Sequence, residues 1–394
     1  MVVSFLKTNA FPSSGVQMTF GLTEEQTKFR AKAKEWAEKH AAPHAEKVDV
    51  SGDFPVDTIK KAGEAGFMGM NISPQYGGHK VDGISYALAI QEISKACASV
   101  GVILAVHNSL GVFGVYNFGT EEQKKKFVPD LAAGKKVGGF MLTEPDAGSD
   151  AGALQTTAVL QGDHYVVNGK KRYILSGTNA ETFVLFAMTD KAKGSKGISA
   201  FILERSTPGL KQTGKHDMMG VRGCSPAEFE FTDMKVPKEN LLGKEGEGFR
   251  IALTLLDHGR IGIGAQGCGI ARQALELSAA YAKKRIQFGQ PIGKNQGISF
   301  ALADMSSRID ASELLVWRAA ELKDSGQRFS KESATAKLFA SETARIVTER
   351  AVQIHGGSGY MRGSPIERAY RDAKILEIYE GTSEVQRIVI SGSL

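Results

Sequence analysis

Ile378-Tyr379-Glu380-Gly381-Thr382-Ser383-Glu384-Val385-Gln386, near the C-terminus, carries the most information in this chain. A carboxylate stands in a tight turn before a glycine, and two hydroxyl residues that can cap a helix follow it. Glu380 then faces whatever lies in front of that helix's N-terminus. A carboxylate held there can act as a general base on a weak carbon acid if a pocket excludes water around it. The ordinary outcome for such a segment is a solvated capping or dipole-pairing glutamate. What accompanies it along the chain decides between the two.

At 394 residues the chain has room for two or three domains with large cores. Hydrophobic residues at 42% and charged residues at 23% give an ordinary globular balance. The net charge of +6 suits a polyanionic ligand. Lys and Arg are dispersed, with only short runs such as Lys124-Lys125-Lys126, so no nucleic-acid footprint is expected. Cys97, Cys224 and Cys268 are far apart, which gives neither a disulfide framework nor metal-ligand spacing and fits a reducing compartment. The His residues form no metal-binding cluster, so no metal is expected. No apolar run reads as long enough to span a membrane. Residues 1–17, with one Lys and no Arg, read as a disordered extension rather than a targeting signal.

Three regions follow. Residues 18–136 read as helical: 22–45 with a capping box at Thr23 and Gln26, then Tyr86–Ala98, Val102–Phe113 and a helix start at Glu121–Phe127. Residues 137–245 read as β. Tyr165–Lys170 shows a strand with a hairpin signal at Asn168-Gly169, and Phe183–Ala187, Ile198–Leu203 and Glu228–Phe231 are short and β-rich. Residues 246–394 return to helix, with Ala252–Leu256, Ile270–Lys284, Ser299–Leu322 and Lys331–His355 as four members of a bundle. The fold class is therefore multidomain α+β in the order α, β, α.

Each further motif has a plain structural reading beside a functional one. Gly262-Ile263-Gly264-Ala265-Gln266-Gly267 matches GxGxxG, but a helical pattern precedes it, so close helix packing is the better reading than a dinucleotide site. Leu142–Asp150 is a polar loop whose Thr143 and Ser149 hydroxyls suit the polar edge of a ring cofactor or phosphate; turn chemistry is the alternative. Arg285-Ile286-Gln287-Phe288-Gly289 offers either a diphosphate partner or a helix-end arginine. Gln353-Ile354-His355-Gly356-Gly357 offers close backbone approach to a ligand or a glycine cap. Asp257-His258-Gly259-Arg260 interrupts a helical pattern with polar side chains, either as a structural Asp–Arg pair or as a contact to a polar ligand. His107, in an apolar stretch, reads as a satisfied core histidine.

Taken together in this order, these motifs resemble the acyl-CoA dehydrogenase family from about Phe20 to Leu394. The Thr143–Asp150 loop, the RxQFG run, the QxxGG turn and Tyr379-Glu380-Gly381-Thr382 carry the resemblance. Gly101-Val102-Ile103 through Asn108-Ser109-Leu110, and Asp257 through Gly262, look most like the short-chain (butyryl-CoA) branch. The resemblance implies an N-terminal helical domain, a middle β domain and a C-terminal four-helix bundle, with FAD between the last two. It also implies a homotetramer built as a dimer of dimers.

Within one subunit, the resemblance places Met141, Thr143 and Ser149 on the flavin or the CoA arm, and Tyr173 and Ile174 beside the ring. Thr382 and Glu384 would bind FAD, and Asp257, Arg260, Ser149 and Gly381 the substrate. Arg285, Phe288, Gln296, Gln353, Gly356 and Gly357 would reach the cofactor of a partner subunit. Glu380 would take the α-proton of an acyl-CoA thioester while a β-hydride passes to flavin N5, giving a trans-2-enoyl-CoA. An electron-transferring flavoprotein would accept the electrons. Gly259 occupies the place where some members carry the base instead. Bulky Ile103, Leu104 and Val106 would close the acyl pocket.

One departure stands out: Leu175 replaces a hydroxyl that normally reaches the flavin. An acyl-CoA oxidase or an enoyl-CoA reductase on the same scaffold is therefore the alternative, ahead of a non-enzymatic nucleic-acid-binding relative. The implied location is the bacterial cytoplasm, or the mitochondrial matrix in a eukaryote.

Overall fold

The computed structural model describes residues 21–394, so the extension read at 1–17 lies outside the described residues. Seven helices come first: α1 (Glu24–His40), α2 (Ala45–Ser51), α3 (Val56–Glu64), α4 (Gly83–Ala96), α5 (Ala98–Val106), α6 (Val112–Phe118) and α7 (Glu121–Ala132). The capping box at Thr23 and Gln26 forms in both directions, and Thr120 and Gln123 repeat it at α7. The first helix ends at His40, earlier than its pattern suggested, because a 3₁₀ turn containing Pro43 follows.

Between α5 and α6 the helix widens into a π turn, His107–Gly111. That turn is wholly buried and its polar side chains are used. The Asn108 side chain accepts from the Met70 N–H and donates to the Phe67 carbonyl, while His107 accepts from the Gly138 N–H and contacts the Leu131 carbonyl. His107 is thus the core histidine its setting suggested. This also corrects the reading of apolar length. Ala98–Phe118 is 21 residues long and apolar enough to cross a membrane by length and composition, but 94% of its most apolar window is buried inside this fold. The scattered His, Asn and Ser residues made the sequence look interrupted where the helix is not.

A mixed sheet follows, in the order β6-β7-β3-β2-β4-β5-β8 with β1 parallel beside β4. Its strands are β1 (Gly138–Met141), β2 (Thr157–Gln161), β3 (His164–Ile174), β4 (Thr182–Met188), β5 (Ile198–Glu204), β6 (Leu210–Lys215), β7 (Ala227–Pro237) and β8 (Leu241–Leu242). The hairpin expected at Asn168-Gly169 is not there. β3 runs straight through it, and the register against β7 shifts between Val167 and Gly169. Gly169 is a bulge: its φ is 149°, and a Cβ there would lie 2.5 Å from the Thr156 hydroxyl. The tight turn joins β2 to β3 instead, at Gly162-Asp163.

The last region holds α8 (Gly248–Lys284), a short hairpin of β9 (Ile286–Gln287) and β10 (Gln290–Pro291), α9 (Gln296–Asp324) and α10 (Ser330–His355). It ends with α11 (Gly357–Tyr360), α12 (Pro365–Lys374) and α13 (Ser383–Ser391). The two segments read as Ala252–Leu256 and Ile270–Lys284 are one 37-residue helix. Asp257-His258-Gly259-Arg260 does not interrupt it, because each polar side chain finds a partner. His258 bonds the Thr254 carbonyl, Arg260 pairs with Asp257 at 2.6 Å, and Asp257 also accepts from Ser330. The GxGxxG run is interior to α8 and serves packing: a Cβ at Gly264 would meet Val316 at 2.8 Å, and one at Gly267 the Ala340 carbonyl at 3.0 Å.

Gly269 makes the closest such approach in this stretch. A Cβ there would sit 2.3 Å from the Gln91 carbonyl oxygen of α4, which is backbone and cannot rotate aside. Alanine gains about 1 kcal/mol of helix propensity over glycine, and the clash costs about 1–3 kcal/mol. Gly269→Ala should therefore lower the thermal midpoint despite its better propensity. A raised midpoint would show that α4 and α8 do not pack this closely.

Candidate active site

The Glu380 turn is conformationally forced. Glu380 has φ 52° and Gly381 φ 91°, so a non-glycine residue and its neighbour both sit in the left-handed region. Three features hold them there. Thr382 caps α13 by accepting from the Val385 N–H at 3.3 Å. The Gln386 amide, wholly buried, donates to the carbonyls of Glu380 (3.1 Å) and Gly381 (2.8 Å). The Lys337 ammonium donates to the Gly381 carbonyl at 2.7 Å. Ahead of the turn, the Tyr379 hydroxyl is hydrogen-bonded to Gln266 of α8.

The carboxylate itself is left bare. Glu380 is half-buried as a residue, yet both its carboxylate oxygens are shielded from water and without a hydrogen-bond partner. Burial pushes its pKa up to about 7, while the charges of Lys337 and Arg260 pull the other way. α8 makes room for it. A Cβ at Gly259 would lie 2.1 Å from Glu380 Oε2, so a side chain there would force this carboxylate out of its position.

Beside the turn lies a cavity of about 410 Å³, within the range typical of ligand sites. It gathers residues from every part of the fold: Thr143 and Ser149 of the polar loop, Tyr173, Ile174 and Leu175 at the end of β3, Arg260 of α8, and Glu380 with Gly381. Phe140 and Leu142 line it, whereas Met141, between them, is fully buried and outside the wall, as strand alternation requires. Val106 and Leu110 close one side. Ile103 and Leu104 do not: both are buried away from that wall, whereas Leu110, one turn beyond Val106, shares its face.

The polar loop is fastened by a buried ion pair. Lys171 donates to Glu144 at 2.8 Å and to the Leu142 carbonyl at 2.9 Å, and Glu144 also accepts from the backbone of Gln155 and Thr156. Tyr173, at φ 58°, is more than half exposed. Hydroxyls on one wall and the apolar end of β3 on another suit a flat ring with a polar edge. Asp257 opens onto an adjoining pocket with Arg250, Lys196 and Ser330. Thr382 and Glu384 lie behind the turn, at the start of α13. There the Glu384 carboxylate is held below its usual range by its own backbone N–H and the Thr382 hydroxyl.

Arg285, Phe288, Gln296, Gln353, Gly356 and Gly357 do not reach this cavity. They collect at the opposite end of the long helices, where Tyr281 of α8 stacks on His355 of α10 with centroids 4.4 Å apart. At 1.5 Å per residue, Arg285 lies roughly 40 Å along α8 from Arg260. Phe288 there is 97% exposed, with φ 50°.

Lys337, Gln386, Leu110 and the constraint on Gly259 were not singled out from the sequence as parts of this site. Lys337 left one signal: it occupies an inward position among Ala334, Ala336, Ala340 and Ser341.

Known proteins share the sequence and fold of this chain. Models of the N-terminal, middle and C-terminal domains of acyl-CoA dehydrogenase match residues 23–135, 139–234 and 246–394. The short-chain specific acyl-CoA dehydrogenase of Clostridium acetobutylicum is 49% identical over 377 residues, 96% of this chain and 100% of that one. The acryloyl-CoA reductase (NADH) of Anaerotignum propionicum is 47% identical over 377 residues, 95% of each. The structure of butyryl-CoA dehydrogenase from Megasphaera elsdenii superposes with a TM-score of 0.94 at 45% identity, covering 95% of this chain and 99% of that one. A helical, β, helical chain with its carboxylate turn at such a cavity belongs to the acyl-CoA dehydrogenase family, as an FAD-dependent oxidoreductase.

Proposed function

We propose that this acyl-CoA dehydrogenase converts a short-chain acyl-CoA to the trans-2-enoyl-CoA, with Glu380 as the base that removes the α-proton. The observation that carries the reading is the bare carboxylate: two shielded, unpartnered oxygens at a cavity, on a turn that several bonds force into shape. A thioester α-proton is too weakly acidic for a carboxylate in water. Desolvation makes Glu380 a stronger base, and in this reading its backbone N–H stabilises the developing enolate oxygen. FAD, when bound, supplies the acceptor for the β-hydride and a ribityl hydroxyl as a second donor.

In this reading Thr143, Ser149, Tyr173, Ile174 and Leu175 hold the flavin, with Met141 contributing from behind, and Thr382 and Glu384 follow the turn. Asp257 and Arg260 meet the CoA arm, with Ser149 and Gly381 nearer the thioester. Arg285, Phe288, Gln296, Gln353, Gly356 and Gly357 serve a neighbouring subunit's FAD. Their distance from this chain's own cavity and the exposed Phe288 support that assignment. The assembly is then a dimer of dimers. The chain is divided at 136/137 and 245/246, and works in the bacterial cytoplasm or a mitochondrial matrix. An electron-transferring flavoprotein takes the electrons. A second reading, reduction of a short enoyl-CoA, is favoured by the acryloyl-CoA reductase relative and by Leu175 at the ring. NADH-dependent loss of acryloyl-CoA, faster than acyl-CoA oxidation, would establish it.

Glu380→Gln should keep FAD and acyl-CoA binding while anaerobic flavin bleaching falls about 10²- to 10⁴-fold. Bleaching at the wild-type rate would remove Glu380 as base. The same variant reads the burial. The folded pKa of about 7 lies above the ordinary glutamate value of 4.5, so the native state holds the proton longer. Stability therefore falls as pH rises from 4.5 to 7, and the loss is complete above that window. Relief of up to about 3 kcal/mol is expected from the amide at about pH 8, and none near pH 4, by denaturant unfolding at both pH values.

Arg285→Ala should weaken FAD retention and shift the oligomer to smaller species, seen together by absorbance and sedimentation. A fully flavinylated tetramer would reduce Arg285 to a helix-end residue. Chain length tests the pocket. With Val106 and Leu110 closing it, kcat/KM should peak near roughly C4 and fall steeply by about C8, since each unburied CH₂ forfeits about 0.8 kcal/mol and each surplus one clashes. Trimming Val106 and Leu110 to Ala should broaden the profile, whereas trimming Ile103 should not. An optimum at octanoyl-CoA would overturn the short-chain reading.

A further inference from the structure

The reaction assigned to Glu380 leaves one buried charge without a task. Lys337 of α10 is 0% exposed, on a helix face that is otherwise Ala and Ser. Its ammonium has three donors, and its hydrogen bond in the structure is to the Gly381 carbonyl at 2.7 Å. Among the described residues no carboxylate lies within ion-pair distance of it. A methionine would fill the space without desolvating a charge, and such replacements of buried charges are often neutral or stabilising. The reason for a lysine is local. It reaches the carbonyl directly after the proposed base, in the two-residue left-handed turn, and shares that carbonyl with Gln386. Together they tie the turn's carbonyls to the bundle, and neither side chain lines the cavity.

We propose that Lys337 is a positioning residue of this site: its ammonium fixes the Glu380 turn through the Gly381 carbonyl, and its charge keeps the Glu380 carboxylate ionised for proton abstraction. This rests on the reading of Glu380 as base. The surrounding charges fit. Burial drives Glu380 toward its neutral form, and Lys337 leads the opposition, ahead of Arg260 from α8. Tyr86 of α4 and Tyr379 of the turn are neutral phenols: burial raises both, followed by the Glu380 charge for Tyr86, and by Cys224 and then Glu380 for Tyr379, whose hydroxyl is engaged with Gln266. Around the ammonium, burial lowers Lys337 to about 8, Glu380, Glu377 and Glu384 pull it back up, and Arg260 lowers it. The two charges therefore coexist near neutral pH, and the influence of Lys337 fades as it loses its own proton above about pH 8.

The test uses FAD-loaded Lys337→Met, Lys337→Gln and Lys337→Arg proteins. Glutamine keeps a donor for the Gly381 carbonyl without the charge, and arginine keeps the charge. Two readouts are taken across about pH 6–9: anaerobic flavin reduction by butyryl-CoA, and the protonated-carboxyl band of Glu380 in substrate-free infrared difference spectra, identified by its absence in Glu380→Gln. Lys337→Met and Lys337→Gln should move the carboxyl titration and the acid limb of reduction to higher pH. A loss of roughly tenfold or more at about pH 6.5 should shrink toward wild type at about pH 9, because a midpoint one pH unit higher means tenfold less carboxylate on the acid limb. Arginine should restore the wild-type midpoint. A carboxyl titration unmoved in Lys337→Gln would overturn the proposal, as would a uniform rate loss at every pH. Failure of the base assignment appears separately, as a fast Glu380→Gln enzyme, and leaves the infrared measurement of the Lys337–Glu380 coupling intact.

Discussion

A carboxylate that is dry and unpartnered, on a residue that lines a cavity, is the constraint around which this molecule is built. Burying such a group is unfavourable, and ordinary folding would either expose it or give it a hydrogen-bond donor. Here neither happens to the Glu380 oxygens. The compensation is applied to the backbone instead: Gln386 and Lys337 bind the carbonyls of the turn, Thr382 caps the helix beyond it, and Tyr379 is anchored to Gln266. A rigid turn presents a destabilised side chain, which is the arrangement a strong base needs.

The long helix α8 connects this arrangement to the rest of the fold. Gly259 in it vacates the space that the carboxylate fills, and Arg260 supplies a charge to the same site. Further along, glycines let α4, α9 and α10 approach closely. At its far end α8 delivers Arg285 to a second cluster that its own cavity cannot use. A single helix of this length separates the two groups of residues, which is the separation that the proposed sharing of a cofactor between subunits requires.

Local chemistry was legible where the local signal was strong. The capping box at Thr23, the helix start at Glu121, the β character of 183–187 and 198–203, and the packing role of the α8 glycines could all be read from adjacent residues. Errors arose where tertiary partners overrode local signals. Asn168-Gly169 resembles a turn, yet β7 and Thr156 hold it as a bulge. Asp257 to Arg260 resembles a helix break, yet Ser330, Thr254 and an internal ion pair satisfy the side chains.

The sequence by itself determined the order of helical, β and helical regions, the carboxylate turn at Glu380, and the loops that come to share its cavity, because periodicity, capping and turn residues act over a few positions. The tertiary structure alone decided which side chains close the cavity, Leu110 rather than Ile103, because a helix that is apolar and buried on every face meets a cavity only where the elements packed around it leave one. It also decided that a lysine 43 positions before Glu380 stands beside the turn. Electrostatic setting depends on distance through space and on burial, and neither is encoded by neighbours along the chain.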